Sequence, residues 1–374
     1  MSDTKSPTDV TPAGRTRVEI RRQPSDFQVD ELPAYEPVGQ GEHLYVHFRK
    51  TGLDTMTAAT QLARRLGVPG RDVGTAGLKD RHAVTTQSAS FPWPMKNELP
   101  DAARLSGEGI EVLSLARHNN KLRTGHLRGN RFTLVLRGLR PEERAPLQAA
   151  LERLGTAGLP NRFGVQRFGR DGNNADQARA WLAGKQPAPR HPRVRRLQFS
   201  ALQSEIFHRV LDRRIADGTW DRLLEGDLLQ APGGGKMLRS SQMADAAEAV
   251  AAWRLSPTGP IYGARMPWPE GAAKLLEDEV LATGLADRAL IDKNRQLGEG
   301  ARRPLGLRPE ELRVRELVAD ATGLQVEFVL PKGAYATTVL EAVCEVDDVS
   351  RRGATDREAG TIEEDSEEGP ENER

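Results

Sequence analysis

A single cysteine, Cys344, stands in a chain of 374 residues. No intramolecular disulfide can form, so a reducing compartment is expected, with the cytoplasm as the default location. No apolar run approaches the roughly 20 residues that cross a bilayer, and the opening MSDTKSPTDVTPAG lacks the apolar core of a signal peptide. Seven histidines (His43, His47, His82, His118, His126, His191 and His208) and one cysteine show no zinc spacing. There is no GxxxxGK[ST] loop, no GxGxxG after a strand and no GxSxG elbow, and GGGK at 233–236 is too short for a phosphate loop. Redox chemistry on a bound dinucleotide, phosphoryl transfer from a nucleotide and serine hydrolysis thus lose their usual signatures. Nothing in the sequence asks for a cofactor or a metal.

What is present is charge, unevenly spread. The formal net charge is +1, yet residues 353–374 hold nine acidic and two basic side chains, so residues 1–352 carry +8. The body is rich in arginine, which forks onto phosphate and stacks on bases, so the balance permits nucleic-acid binding without requiring it. Residues 1–14 and 351–374 have too few apolar side chains to offset the entropy of ordering, and both are expected to be disordered.

Between these ends the pattern alternates. Leu44, Val46 and Phe48 share one face of a strand at 43–49. Residues 55–66 predict a helix capped by Asp54 or Thr55 and closed by Gly67. Strands are expected at 83–91, 110–116 and 131–137, and a helix at 141–154. GTAGLP at 155–160 marks a boundary. Helices then dominate over 174–184, 200–216, 240–254 and 270–286, where Leu202, Ile206, Phe207, Val210, Leu211 and Ile215 trace a core face. From 311 a helix, a strand at 326–330 and a helix at 334–344 return to the first style. A mixed α/β domain (15–160 and 311–350) interrupted by a helix-rich insertion (161–310) explains that order. Two consecutive domains are the alternative.

Three clusters concentrate unusual residues. GTAGLKDRHAVTTQ at 74–87 describes a strand, a charged turn and a second strand, with Asp80 between Lys79 and Arg81, a setting that favours a charged carboxylate. A surface turn with local ion pairs would look the same. ARHNNKLRTGHLRGNRFTLVLR at 116–137 sets five cations before a strand that carries Phe132, as phosphate contacts beside base stacking require, or as a basic hairpin would. NRFGVQRFGRDGNN at 161–174 lets backbone approach either a ligand or another chain segment closely.

Taken together, GLKDRHAVTTQ, RHNNKLRTGHLRGNRF and NRFGVQRFG resemble the TruD family of tRNA pseudouridine synthases. So do EIRRQPSDFQVDE at 19–31, GEHLYVHFRKTGLDT at 41–55 and FVLPKGAYATTVL at 328–340. The resemblance runs from about residue 18 to 345. It implies an α+β catalytic domain with a mixed sheet, and an inserted TRUD domain forming a cleft for tRNA. It implies isomerisation of a uridine, at position 13 in the D-arm region, to pseudouridine. The family's catalytic aspartate falls on Asp80, and its substrate-contacting positions on Phe27, Asn130 and Tyr335. The basic partner of the aspartate falls on Arg21, where lysine is expected in relatives. Tyr335 stands where phenylalanine is usual. Phe132 takes the place that a tyrosine holds in other pseudouridine synthase families, and Lys79, next to Asp80, joins the substrate-binding set.

Such chemistry suits the absences noted above. The N1–C1′ bond breaks, the base turns, and C5 bonds to C1′, so the product is an isomer and no cofactor enters. One carboxylate can serve, as a nucleophile or by assisting a proton transfer at the sugar. The target base must leave its stack, and Arg117, Lys121, Arg123, Arg128, Arg131 and the RHPRVRR segment at 190–196 would hold the tRNA backbone. No membrane and no protein partner is implied, and a monomer is expected. An RNA-binding protein without catalysis, or an enzyme that releases uracil, are the competing readings. A pure binder gains nothing from a carboxylate where anionic RNA docks.

Overall fold

The structure, a computed structural model, describes residues 15–169, 171–282, 291, 293–317 and 322–351. The segment 1–14 and all but the first residue of the acidic tail, both expected to be disordered, lie outside the described residues. The chain forms two compact units. Among the described residues one holds 15–149, 312–329 and 344–351, and the other holds 150–311 and 330–343.

In chain order the elements begin with β1 (Arg17–Ile20), β2 (Phe27–Pro33), β3 (His43–Thr51), α1 (Thr55–Leu66), β4 (Gly74–Thr75), β5 (Val84–Pro92), α2 (Ala102–Leu105), β6 (Ile110–His118) and β7 (Leu127–Leu136). Next come α3 (Pro141–Ala157), β8 (Leu159–Pro160), α4 (Asn174–Leu182), α5 (Pro192–Ala216), β9 (Leu228–Gln230) and β10 (Leu238–Arg239). They continue with α6 (Ala246–Ala251), β11 (Ser256–Ile261), α7 (Gly271–Ala282), β12 (Ala301–Pro304) and β13 (Gly306–Leu307). The chain closes with β14 (Glu310–Glu316), β15 (Leu324–Pro331), α8 (Ala336–Glu341) and β16 (Glu345–Asp348).

The first unit is organised by a mixed sheet in the order β14-β15-β7-β2-β5-β3-β6, with β4 added beside β5. Strand β2 runs parallel to β5 and antiparallel to β7. Leu44, Val46 and Phe48 of β3 are fully buried against Ala58, Leu62 and Ala63 of α1. Helix α1 starts where the Asp54 carboxylate accepts the Thr57 N–H at 2.8 Å and stops at Gly67, whose φ of 67° is the left-handed conformation that glycine adopts without penalty. A parallel pair, β1 with β16, places Ile20 opposite Asp348.

The second unit packs Leu202, Ile206 and Val210 of α5 against Ala178, Trp181 and Leu182 of α4 and against Tyr262. It also contains a four-stranded sheet, β10-β9-β11-β12, that the helical reading of 161–310 does not anticipate. Strand β11 is the reason: its SPTGPI carries two prolines and a glycine, residue types that argue against a strand. Another correction falls at 311, where the expected helix is strand β14 at the end of the large sheet. Glu, Leu and Arg favour helix on their own, but pairing with a neighbouring strand overrides that preference, and charged side chains suit an edge.

Candidate active site

Asp80 sits in the loop between β4 and β5, and contacts from the β3–α1 region tie that loop down. The Thr55 hydroxyl accepts the Lys79 N–H at 2.8 Å and donates to Gln87 Oε1 at 3.1 Å. Lys50, the last buried position of β3, donates its ammonium to the carbonyls of Asp80 at 2.7 Å and Leu53 at 2.6 Å. The Gly52 N–H donates to the Ala83 carbonyl at 3.5 Å. The loop therefore has a fixed backbone while its carboxylate stays in reach of solvent: the Asp80 side chain is 64% exposed.

One buried cation grips that carboxylate. Arg21 Nη2 meets Asp80 Oδ2 at 2.5 Å, and Nη1 meets Asp348 Oδ2 at 2.5 Å. The β1–β16 pairing delivers both Arg21 and Asp348, since each lies at the end of its strand or one residue beyond. Arg21 holds a φ of 56°, rare for a residue with a Cβ and seen where surroundings over-determine the conformation. Its guanidinium also lies 3.8 Å from the centre of the Phe27 ring.

Beside this pair the β2–β7 register sets Glu31 opposite Asn130. Lys79 Nζ donates to Asn130 Oδ1 at 2.8 Å and meets Glu31 Oε2 at 3.1 Å, the latter a contact of charge without aligned hydrogen-bond geometry. Phe132, two residues on, meets Phe27 edge to face at 6.2 Å and Phe328 at 5.6 Å. Arg21 and Lys79 thus meet the carboxylates of Asp80, Asp348 and Glu31, while Lys50 rests on two backbone carbonyls. Burial pushes the Lys50 ammonium down to about 8, against the opposing pull of Asp80. Among the described residues no group of His, Cys, Asp and Glu could hold a metal ion.

Of the site residues expected from sequence, the fold gathers Arg21, Phe27, Lys79, Asp80, Asn130 and Phe132 in the first unit. Phe27 is 3% exposed with Arg21 over one face, and Phe132 is 7% exposed. Both rings are therefore buried. Tyr335 belongs to the second unit, as the residue before α8, and is 46% exposed. Among the cations expected to hold RNA, Arg117 is occupied with the carbonyls of Gly41 and Trp93, and Arg131 pairs with Glu327. Arg123 and Arg128 remain exposed. Glu31, Lys50 and Asp348 are members that the sequence reading missed. The period-two pattern carried a signal for two of them: Leu44, Val46 and Phe48 lead to Lys50, and Phe27 and Val29 lead to Glu31.

Residues 8–187 and 188–343 match the family described as tRNA pseudouridine synthase D (TruD). The chain belongs to the TruD family. It is 42% identical over 327 residues to the tRNA pseudouridine synthase D of an Anaeromyxobacter strain, covering 86% of this chain and 90% of that one. It is 40% identical over 334 residues to the Thermus thermophilus protein of the same name, covering 88% and 89%. A Methanosarcina mazei protein, solved by crystallography as a candidate TruD, superposes with a TM-score of 0.70 over 88% of this chain and 94% of that one. At 23% identity that likeness shows the shared fold. Among the described residues no helix is long and apolar enough to cross a membrane.

Proposed function

We propose that this TruD-family chain, an isomerase of the tRNA pseudouridine synthase class, converts the uridine at position 13 of tRNA to pseudouridine with Asp80 as its catalytic carboxylate. One observation carries the assignment: Asp80 is an exposed carboxylate on a loop whose backbone is pinned by Lys50 and Thr55, and whose charge is met by a buried guanidinium. Preorganised charge of this kind acts where charge develops in a reaction. Asp80 acts at C1′ of the extruded uridine as the N1–C1′ bond breaks. The uracil turns, C5 bonds to C1′, the C5 proton leaves, and N1 takes up a proton.

Arg21 is a positioning residue that holds Asp80 Oδ2. Phe27 and Phe132 floor the site, and Asn130, held by Lys79, offers a donor to the uracil edge. Tyr335 supplies the exposed ring on which a base can stack. Arg123 and Arg128, with the exposed Arg193 and Arg196 at the start of α5, contact the phosphate backbone. Residues 161–310 correspond to the family's inserted domain, and the enzyme works as a cytoplasmic monomer.

The test is tritium release from tRNA labelled at uridine C5. Release by the wild type, none by Asp80→Asn and no free uracil in either are the expected results. Retention of the label by the wild type would refute the isomerase reading. Free uracil would replace it with base removal.

A further inference from the structure

Neighbouring arginines of β12 meet opposite fates. Arg302 is buried and closed on a carboxylate, donating from Nη2 and Nη1 to Glu277 Oε1 and Oε2 at 2.6 and 2.9 Å. Arg214, in the same unit, closes on Asp227 at 3.0 and 3.1 Å. Arg303 has no carboxylate partner among the described residues. It donates to Asn161 Oδ1 at 2.6 Å, to the Asn161 carbonyl at 3.3 Å and to the Gly333 carbonyl at 3.2 Å, and lies 4.2 Å from the centre of the Phe163 ring.

A second cation shares the place. Arg167 donates to the hydroxyls of Ser204, at 3.1 Å, and Ser200, and lies 5.3 Å from the same Phe163 ring. It too has no carboxylate partner among the described residues. Both arginines line a cavity of about 340 Å³, together with Gly233, Gly234 and Lys332. Burial, joined by the charge of Arg167, lowers Arg303 to about 10. A guanidinium withdrawn from water is normally matched by a carboxylate, as Arg302 and Arg214 are. Here two guanidinium groups are oriented by neutral acceptors and a ring, which leaves the cavity short of negative charge.

We propose that Arg303 and Arg167 form a phosphate pocket that receives a backbone phosphodiester of the RNA substrate, beside the nucleotide contacted by Tyr335. The proposal rests on the tRNA reading above. A phosphate presents the oxygens that a guanidinium fork accepts, and the cavity has room for it. Tyr335 lies two residues beyond Gly333, whose carbonyl holds Arg303. A base on that ring and a phosphate on the arginines would belong to one stretch of strand.

The full chain decides it, with Arg303→Gln and Arg167→Gln compared with Arg265→Gln, an exposed arginine paired with exposed Glu299. Thermal midpoints are read in inorganic phosphate against chloride of matched ionic strength, and tRNA dissociation constants across NaCl. Expected are a midpoint that rises with phosphate in wild type and Arg265→Gln alone, a tRNA Kd raised about tenfold by Arg303→Gln at low salt, and a log–log salt slope reduced by about one. The KM rises with the Kd while kcat at saturation is kept. An unchanged slope with no phosphate-dependent stabilisation overturns the pocket. Phosphate stabilisation with an unchanged tRNA slope makes it a small-anion site and overturns the RNA assignment. Should Arg303→Gln fail to fold, Arg167→Gln gives the same two readings. If the wild type leaves tRNA unmodified, the isomerase reading fails by itself, and the phosphate measurement still decides the pocket.

Discussion

Arg21 in one unit and Arg302 in the other are both buried guanidinium groups that hold two carboxylate oxygens, and they do so differently. Arg302 takes both oxygens from one residue, Glu277, whose side chain is 4% exposed. Arg21 takes one oxygen each from Asp348, 8% exposed, and Asp80, 64% exposed. The first arrangement is complete, with every charge met inside the protein. The second uses a buried carboxylate to hold the cation and leaves the other carboxylate half in solvent, where a substrate can reach it. Desolvation is costly for each buried charge, so a closed pair mainly prevents loss of structure. An open one can fix an oxygen in place for a reaction.

A crossed pair of substitutions puts that contrast at risk. Asp80→Asn should lower turnover by about a thousandfold or more, as loss of a catalytic carboxylate does. Its stability should stay within about 0.5 kcal/mol of wild type, because an exposed partner contributes little to folding. Glu277→Gln should reverse the pattern, costing about 3–5 kcal/mol by leaving Arg302 buried without its counter-charge. Urea unfolding and tritium release on both variants give the four numbers. A Glu277→Gln protein as stable as wild type would remove the distinction.

The sequence made the skeleton of both regions readable, and the reasons for its failures are local. Helix α1 follows from Asp54, Gly67 and a helical apolar face, all of which act within a dozen residues. Strands β3 and β7 follow from period-two alternation. Asp80, Lys79 and Asn130 stood out through motif resemblance. Their partners did not, because Asp348 reaches Arg21 through a parallel pairing across more than three hundred residues. Lys50 was overlooked because a lysine is expected at the surface. Its strand face nevertheless placed it inside, behind Phe48. Strand β11 could not be read at all, since its prolines and glycine contradict the preference that tertiary pairing overrode.

Lys50 offers a way to sharpen the comparison through pH. Its ammonium is fully buried on two carbonyls, and burial lowers it from 10.5 to about 8. Between those values the unfolded chain binds a proton that the folded chain lacks, so stability rises with pH across that window. Below pH 8 both states are charged and the cost of burial is felt in full. Relative to Lys50→Met, wild type should therefore gain about 3 kcal/mol as pH rises from 8 to 10.5. Denaturant midpoints of both proteins at pH 7, 9 and 10.5 measure it. A difference independent of pH would mean that the two carbonyls hold the ammonium charged throughout, and that the Asp80 loop rests on a permanent cation.

The smallest effect concerns the geometry of the open network. Arg21 reaches Asp80 and Asp348 at once because its planar fork presents two donors in different directions. Arg21→Ala should lower kcat by about a hundredfold, since a preorganising donor is removed while the Asp80 carboxylate remains. KM should be unaffected, because the guanidinium is taken up by Asp80, Asp348 and the Phe27 ring and not by the RNA. Arg21→Lys restores the charge but not the fork, and should recover activity to within about tenfold of wild type. If Arg21→Ala retains full turnover, Asp80 needs no fixed partner, and Arg21 and Arg302 would then both be structural ion pairs that differ only in exposure.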